Sequence, residues 1–306
     1  MRPLFLHLDD ALASQPALIE RGLADGARRL EVGGIGPAMR LWSRPKALDA
    51  LRGRLRDQAP AAGPELVFAG SGDFHHVTPL LLERAVEAAG GGPVTVLHFD
   101  NHPDWVKFDN GMHCGSWVGR AARLPGVARV VTVGVCSGDI DRPRSKGADL
   151  SLVEEGRVEL YAYREPTGAD AVRVCGREWP TIESVGEAAF ADLLASRIET
   201  EAVYVTIDKD VLRAEDAVTN WDQGRTSLDF LSAMVRGAAA RHRLIGADVV
   251  GDWSPQVLGG GPLAALLKRG EALLDQPWRR PDAAAARRLN EAVNLRLYDL
   301  FAEAAA

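Results

Sequence analysis

The stretch Val94-Thr95-Val96-Leu97-His98-Phe99-Asp100-Asn101-His102-Pro103-Asp104-Trp105 decides how the rest of the chain reads. It follows the turn Gly90-Gly91-Gly92-Pro93, and its β-branched and apolar residues read as a buried strand over 94–99. The strand ends abruptly in Asp-x-His-x-Asp, three metal-ligand side chains at alternate positions. In extended backbone, residues i, i+2 and i+4 share one face, so Asp100, His102 and Asp104 are expected to converge if that geometry continues past the strand end. Pro103 favours an extended His102.

A second stretch has the same form. Ala202-Val203-Tyr204-Val205-Thr206-Ile207 is another apolar, β-prone run, and it ends in Asp208-Lys209-Asp210. Two carboxylates at the end of a core strand repel each other and lose hydration, at a cost of several kcal/mol each unless cations or solvent compensate them. A bound metal is the economical explanation.

Outward from these two runs, strand and helix alternate. Residues 65–69 read as a strand, 70–76 as its loop, and Pro79 to Ala89 as a helix with Leu80, Leu81, Ala85 and Ala88 at helical spacing. Further strands are expected at about 129–135 and 244–250, and helices near 116–123, 186–197 and 283–303. Before residue 65, an apolar stretch at 4–8 precedes an Ala/Leu/Arg-rich region that is helical in pieces, and 58–64 reads as a turn or linker. Gly33-Gly34-Ile35-Gly36-Pro37 is a plain loop, since no strand-glycine-helix unit with dinucleotide-binding spacing surrounds it. Repeated βα units imply one α/β domain over 1–306, a three-layer αβα arrangement with a mainly parallel central sheet. Ligands are then expected at the carboxyl ends of the strands, where all the candidate groups fall.

Composition narrows the class of partner. With 306 residues, 46% hydrophobic and 25% charged, the chain can bury a sizeable core. A net charge of −6 and no basic cluster interleaved with aromatics argue against nucleic acid and favour a small molecule. Cys114, Cys136 and Cys175 are too few for a disulfide framework, which fits a reducing cytoplasm. No signal-type segment and no run of roughly 20 apolar residues is present, so neither export nor a membrane is expected.

The ordered motifs resemble those of the arginase/agmatinase (ureohydrolase) family. Asp100-Asn101-His102-Pro103-Asp104 is similar to that family's Asp-Ala-His-x-Asp, and Thr206-Ile207-Asp208-Lys209-Asp210 to its Ser-x-Asp-x-Asp. Gly72-Asp73-Phe74-His75-His76-Val77-Thr78 aligns on its Gly-Gly-Asp-His-Ser-Ile-Thr, and Gly111-Met112-His113-Cys114-Gly115 resembles its proton-shuttle loop. Gly246 to Pro255 resembles its late strand ending in Glu-x-Asn-Pro.

The resemblance implies two divalent ions bridged by Asp100 and Asp208, with His75 and Asp104 completing one shell and His102 and Asp210 the other. His76 is the rival to His75. Four carboxylates and two imidazoles suit Mn²⁺ best, with Ni²⁺, Fe²⁺ and Zn²⁺ as alternatives. Such a pair activates a bridging hydroxide that attacks a guanidinium or amidine-type carbon. By the same resemblance Asp104 orients the attack, His113 delivers a proton to the leaving amine, and a linear C–N bond is cleaved. A homo-oligomer is also implied.

Departures from the family pattern restrict the substrate. The glutamate that grips the guanidinium falls at Gly251 or Asp252, so Asp252 is the candidate for that role. Asp210 is followed by Val211-Leu212-Arg213-Ala214 rather than Asp-Pro. Trp105-Val106-Lys107 replaces small polar residues, which disfavours arginine itself. Trp105, Trp221 and Trp253 lie beside site motifs, either as pocket walls or as cover for the core. Two rival readings remain: a deacetylase-like amide hydrolase on the same fold, against which the six-ligand set argues, and a metal-binding homologue without catalysis.

Overall fold

The structure, a computed structural model, describes residues 1–58, 63–278 and 280–304. The turn expected over 58–64 falls on 59–62, outside the described residues. The principal strands are β1 (Arg2–His7), β2 (Arg28–Glu31), β3 (Glu65–Phe68), β4 (Val94–Phe99), β5 (Val127–Val135), β6 (Val158–Ala162), β7 (Ala202–Asp208) and β8 (Arg243–Val250). They form one eight-stranded sheet in the order β2-β1-β3-β8-β7-β4-β5-β6, and every neighbouring pair is parallel. Strands β4 and β7 are buried along their whole length, as continuous apolar runs require when helices flank a parallel sheet.

The longer helices are α1 (Pro16–Ala24), α2 (Pro45–Asp57), α3 (Thr78–Ala88), α4 (Trp117–Ala122), α5 (Glu187–Arg197), α6 (Leu228–Ala239), α7 (Pro262–Asp275) and α8 (Ala283–Ala304). Six of the first seven begin with Pro at N1 or N2 or with a Ser N-cap, as in α6, where Ser227 accepts from the Phe230 amide. Helices α6 and α7 are not anticipated by the sequence reading. The glycine-rich segment at 33–37 is a turn that runs into a single helical turn, Gly36–Met39.

The sheet order positions the site. Strands β4 and β7, more than a hundred residues apart in the chain, lie side by side with Ile207 opposite Phe99. Asp208 and Asp100 therefore leave the sheet together at its carboxyl edge. The 3₁₀ turn Gly72–Val77 after β3 comes up to the same edge and brings His75 with it.

Candidate metal centre and active site

Two groups of ligating side chains meet in this corner and share one residue. His75, His98, Asp100 and Asp104 form the first, and Asp100, His102 and Asp210 the second, each with its ligand atoms within 4.8 Å of one another. Asp208 adjoins the first group, with Oδ2 3.7 Å from His75 Nδ1. All of them except His98, which is buried beneath, line a cavity of ≈ 430 Å³ that is also lined by Trp105, His113, Asp139, Lys146, Trp221, Asp222 and Asp275.

The routes by which these side chains converge differ from the expected one. Asp104 lies in the left-handed region at φ 48°, so the extended geometry stops before it. His102 and Asp104 consequently belong to different groups. His102 Nδ1 lies 2.9 Å from Asp210 Oδ2, whereas Asp104 Oδ2 lies 3.2 Å from His75 Nδ1 and accepts the Trp117 indole N–H at 2.6 Å. His98, absent from the expected ligand set, reaches Asp100 Oδ2 at 2.9 Å through Nε2. Its signal was present in the sequence, because His98 and Asp100 are i and i+2 on one strand and share a face.

The surrounding hydrogen bonds orient the ligands. Thr206 donates its hydroxyl to Asp248 Oδ1 at 2.9 Å, so its oxygen accepts the Nε2–H of His75, also at 2.9 Å. That arrangement leaves His75 Nδ1 buried without a hydrogen-bond partner, 3.0 Å from Asp100 Oδ2 and 3.2 Å from Asp104 Oδ2. A lone pair facing two carboxylates is repulsive unless a proton or a cation stands between them. Divalent metal fits the position, since a ligating imidazole commonly donates its other N–H to an acceptor that fixes its tautomer. His102 is held in the same way, by Asp222 Oδ1 at 3.0 Å on Nε2. His76 turns away to the Ser43 hydroxyl, 2.6 Å from Nε2, and burial pushes it well below the usual imidazole range.

Without a cation, protons are drawn into the cluster. Burial lowers His75, but hydrogen bonds and charge from Asp100 and Asp104 outweigh it and hold the imidazole well above its ordinary value. His102 is likewise held well above its ordinary value against burial, chiefly by Asp210 and Asp100. Burial, followed by the charge of Asp100, raises Asp104 and Asp208 each to about 6 and pushes Asp210 well above the carboxylate range. Asp100 goes the other way: despite burial, the histidines around it hold it well below that range. Among the described residues, the only ion-pair partners of these four aspartates are histidines.

The expected substrate contacts are only partly brought together. Trp105 and Trp221 line the cavity, Trp221 edge-on to His102 with ring centroids 5.7 Å apart and its N–H on Asp73 Oδ1 at 2.9 Å. Trp253 instead lines a larger groove of ≈ 1000 Å³ beside α7, whose lining includes no His, Cys, Asp or Glu. Asp252 does not line the cavity: it is buried against the ammonium of Lys209 and the side-chain amide of Asn294. Gly251 offers no substitute. It has φ 95°, and a Cβ there would lie 2.5 Å from Asp208 Oδ1. Neither alignment of the glutamate motif therefore delivers a carboxylate to the cavity. Cys114 lines it, but burial and the Asp104 charge raise its thiol well above the usual range, which leaves it a poor nucleophile.

No helix of the described residues is long and apolar enough to cross a membrane. In comparisons with known proteins, the sequence model described as Arginase family matches residues 57–257, about two thirds of the chain. An uncharacterized protein of Thermotoga maritima is 26% identical over 190 residues, covering 62% of this chain. The match spans 59% of that relative's length. Among solved structures, the arginase of Bacillus caldovelox superposes with a TM-score of 0.59 at 14% identity, covering 96% of this chain and 97% of its own. A hypothetical agmatinase of Burkholderia thailandensis gives 0.57 at 17% identity, with 99% and 86% covered. The formimidoylglutamase of Bacillus subtilis gives 0.57 at 12% identity, with 95% and 86% covered. At these identities the superpositions speak for the fold. With its parallel eight-stranded sheet, its buried His/Asp cluster and a family match over most of its length, the chain belongs to the arginase family.

Proposed function

We propose that the chain is a metal-dependent hydrolase that cleaves a linear C–N bond in a small guanidino or amidine-type cation. The observation that carries this reading is the pair of histidine–aspartate groups sharing Asp100 on the floor of one cavity. His75, Asp100, His102, Asp104, Asp208 and Asp210 would hold two divalent ions, with His98 beside Asp100, and an oxygen-rich set of this kind suits Mn²⁺ better than a thiolate-seeking ion. When bound, such a pair supplies an activated water at neutral pH. Asp104 orients that water, and His113, on the cavity wall, carries the proton to the leaving amine.

The cavity mouth favours a cation. Asp139, Asp222 and Asp275 line it against a single ammonium, Lys146, which already lies 3.4 Å from Asp139. Trp221 adds an aromatic face beside His102. With Gly251 and Asp252 both unable to reach the substrate, Asp222 and Asp275 are the carboxylates we assign to grip it. The names of two solved structures with this fold, a hypothetical agmatinase and a formimidoylglutamase, are in keeping with such a substrate.

Metal content per chain by elemental analysis, followed by a screen for urea and ammonia release from guanidino and formimino compounds with Mn²⁺ or Ni²⁺ added, tests the proposal. Two ions per chain with turnover are expected. Two ions without product from any such compound would sink the catalytic reading and leave a metal-binding homologue, which the missing glutamate would then explain. One zinc with amide hydrolysis would favour the deacetylase-like reading.

A further inference from the structure

The cavity is not built only from the segment that matches the family. Helix α7, which begins after residue 257, reaches across the cavity wall and meets His113, 158 residues earlier in the chain. His113 Nδ1 accepts the Gly115 amide N–H at 2.8 Å, so the ring's proton resides on Nε2, and that N–H donates to Glu271 Oε1 at 2.5 Å. The second carboxylate oxygen, Oε2, accepts the Trp42 indole N–H at 3.0 Å. One turn earlier on α7, the Lys268 ammonium lies 4.5 Å from the centroid of the same Trp42 ring and donates to the Ala38 carbonyl at 2.8 Å. Both oxygens of Glu271 are thus occupied, and the helix that carries it is clamped on its inner side.

We propose that Glu271 is the positioning residue for His113, and that α7 is part of the active site. This rests on the reading of His113 as the group that carries a proton. A carboxylate bonded to one ring nitrogen fixes the tautomer and stabilises the imidazolium that forms when the other nitrogen is protonated. Here Nε2–H stays on Glu271 throughout. Nδ1 releases the Gly115 N–H, takes up the proton given up by the attacking water to give imidazolium, and passes that proton to the leaving amine as the C–N bond breaks, which restores the neutral ring. Gly251 and Asp252 supply no carboxylate to the cavity from the end of β8, and the Glu271 carboxylate of α7 stands behind His113 on the cavity wall rather than in the cavity itself.

The test needs no substrate for its first part. In protein labelled with ¹⁵N-histidine, two-bond ¹H–¹⁵N correlation spectra report the tautomer of each ring, with His113 assigned by its loss in H113Q. We expect the Nε2–H tautomer throughout, since the Gly115 N–H persists, with a strongly downfield Nε2–H proton in the wild type that shifts upfield in E271Q, whose amide oxygen still accepts, and further in E271A. With the substrate found in the screen, E271A should lower kcat by about 10- to 100-fold with KM changed less than about threefold, and E271Q should fall between, with metal content unchanged in both. An unchanged His113 Nε2–H resonance in E271A, or wild-type kcat in E271A, overturns the proposal. If E271A does not fold, near-isosteric E271Q decides it: kcat lowered at least about fivefold supports the assignment, and unchanged kcat refutes it. Absence of any turnover defeats the reading of function but leaves the Nε2–H resonance to judge Glu271 on its own.

Discussion

Glu159 and Asp208 are both almost sealed from solvent, 5% and 3% exposed, yet their carboxyl groups are displaced in opposite directions. Glu159, on the edge strand β6, is bonded by Arg197 Nη2 at 2.5 Å, Arg129 Nη1 at 2.8 Å and the Tyr161 hydroxyl at 3.0 Å. Burial raises it, but the guanidinium groups and the hydroxyl more than offset this and leave it below the ordinary glutamate value. Asp208, at the end of a central strand, has among the described residues only the His75 imidazole within ion-pair distance, and burial with the Asp100 charge raises it to about 6. Other acids inside the fold also have a cationic partner. Asp252 is paired with Lys209, and Asp9 and Asp73 each lie 2.6 Å from the guanidinium of Arg40. These acids come with their own cation and Asp248 with three hydroxyl donors, whereas the carboxylates on the cavity floor face only histidines and one another, as suits a site that takes up cations from solution.

The largest effect expected from this contrast is in the shared ligand. Asp100→Ala should remove metal from both groups and lower turnover at least about 1000-fold, roughly 4 kcal/mol, whereas Asp210→Asn should still bind about one ion per chain by elemental analysis. Two ions retained in Asp100→Ala would break the assignment of Asp100 as the shared residue.

Among the structural pairs, Lys209→Met leaves Asp252 buried with only an amide for a partner. A loss of about 3–5 kcal/mol in urea unfolding is expected, with metal present or absent. A variant as stable as the wild type would show that Asp252 does not depend on its ammonium.

The sharpest form of the comparison is a difference of sign. In metal-free protein, Glu159→Gln should cost about 2–3 kcal/mol, because it leaves two guanidinium groups short of their acceptor. Asp208→Asn should instead raise the unfolding midpoint, by about 1 kcal/mol or a few degrees, by relieving an uncompensated charge. Destabilisation by both would erase the distinction.

The smallest effect lies in pH. Glu159 is depressed on folding, so its contribution is complete above the unfolded glutamate value and is lost as pH falls through the folded value. Asp104 and Asp208 are raised to about 6, so each favours the folded state while protonated, and that stabilisation is lost as pH rises from about 4 to about 6. Bound metal requires the deprotonated forms, so the rise in Tm caused by added Mn²⁺ should grow from pH 5 to pH 8. An increment independent of pH would mean that the metal binds elsewhere.

Much of this contrast could be anticipated from the chain. Apolar runs that end in Asp or His marked β4 and β7 and gave five of the cluster residues, because a ligand at a strand end is a local pattern. The alternation that exposed Asp100 also held His98, whose role went unread because a histidine inside an apolar run looks like core. Asp252 illustrates the opposite case. Alignment on the family's glutamate motif put it at the substrate, but Lys209 and Asn294 claim its side chain from elements that the motif does not describe.

By itself, the sequence determined that two strands carry candidate ligands at their carboxyl ends and that βα repeats build a parallel sheet. These follow from periodicity and residue type within a few positions. Only the tertiary structure decided that β4 and β7 are neighbours, that Asp104 turns left-handed into one group while His102 goes to the other, and that Glu271 reaches His113. Each is a contact between distant segments, set by strand order and helix docking, and no local pattern of side chains encodes it.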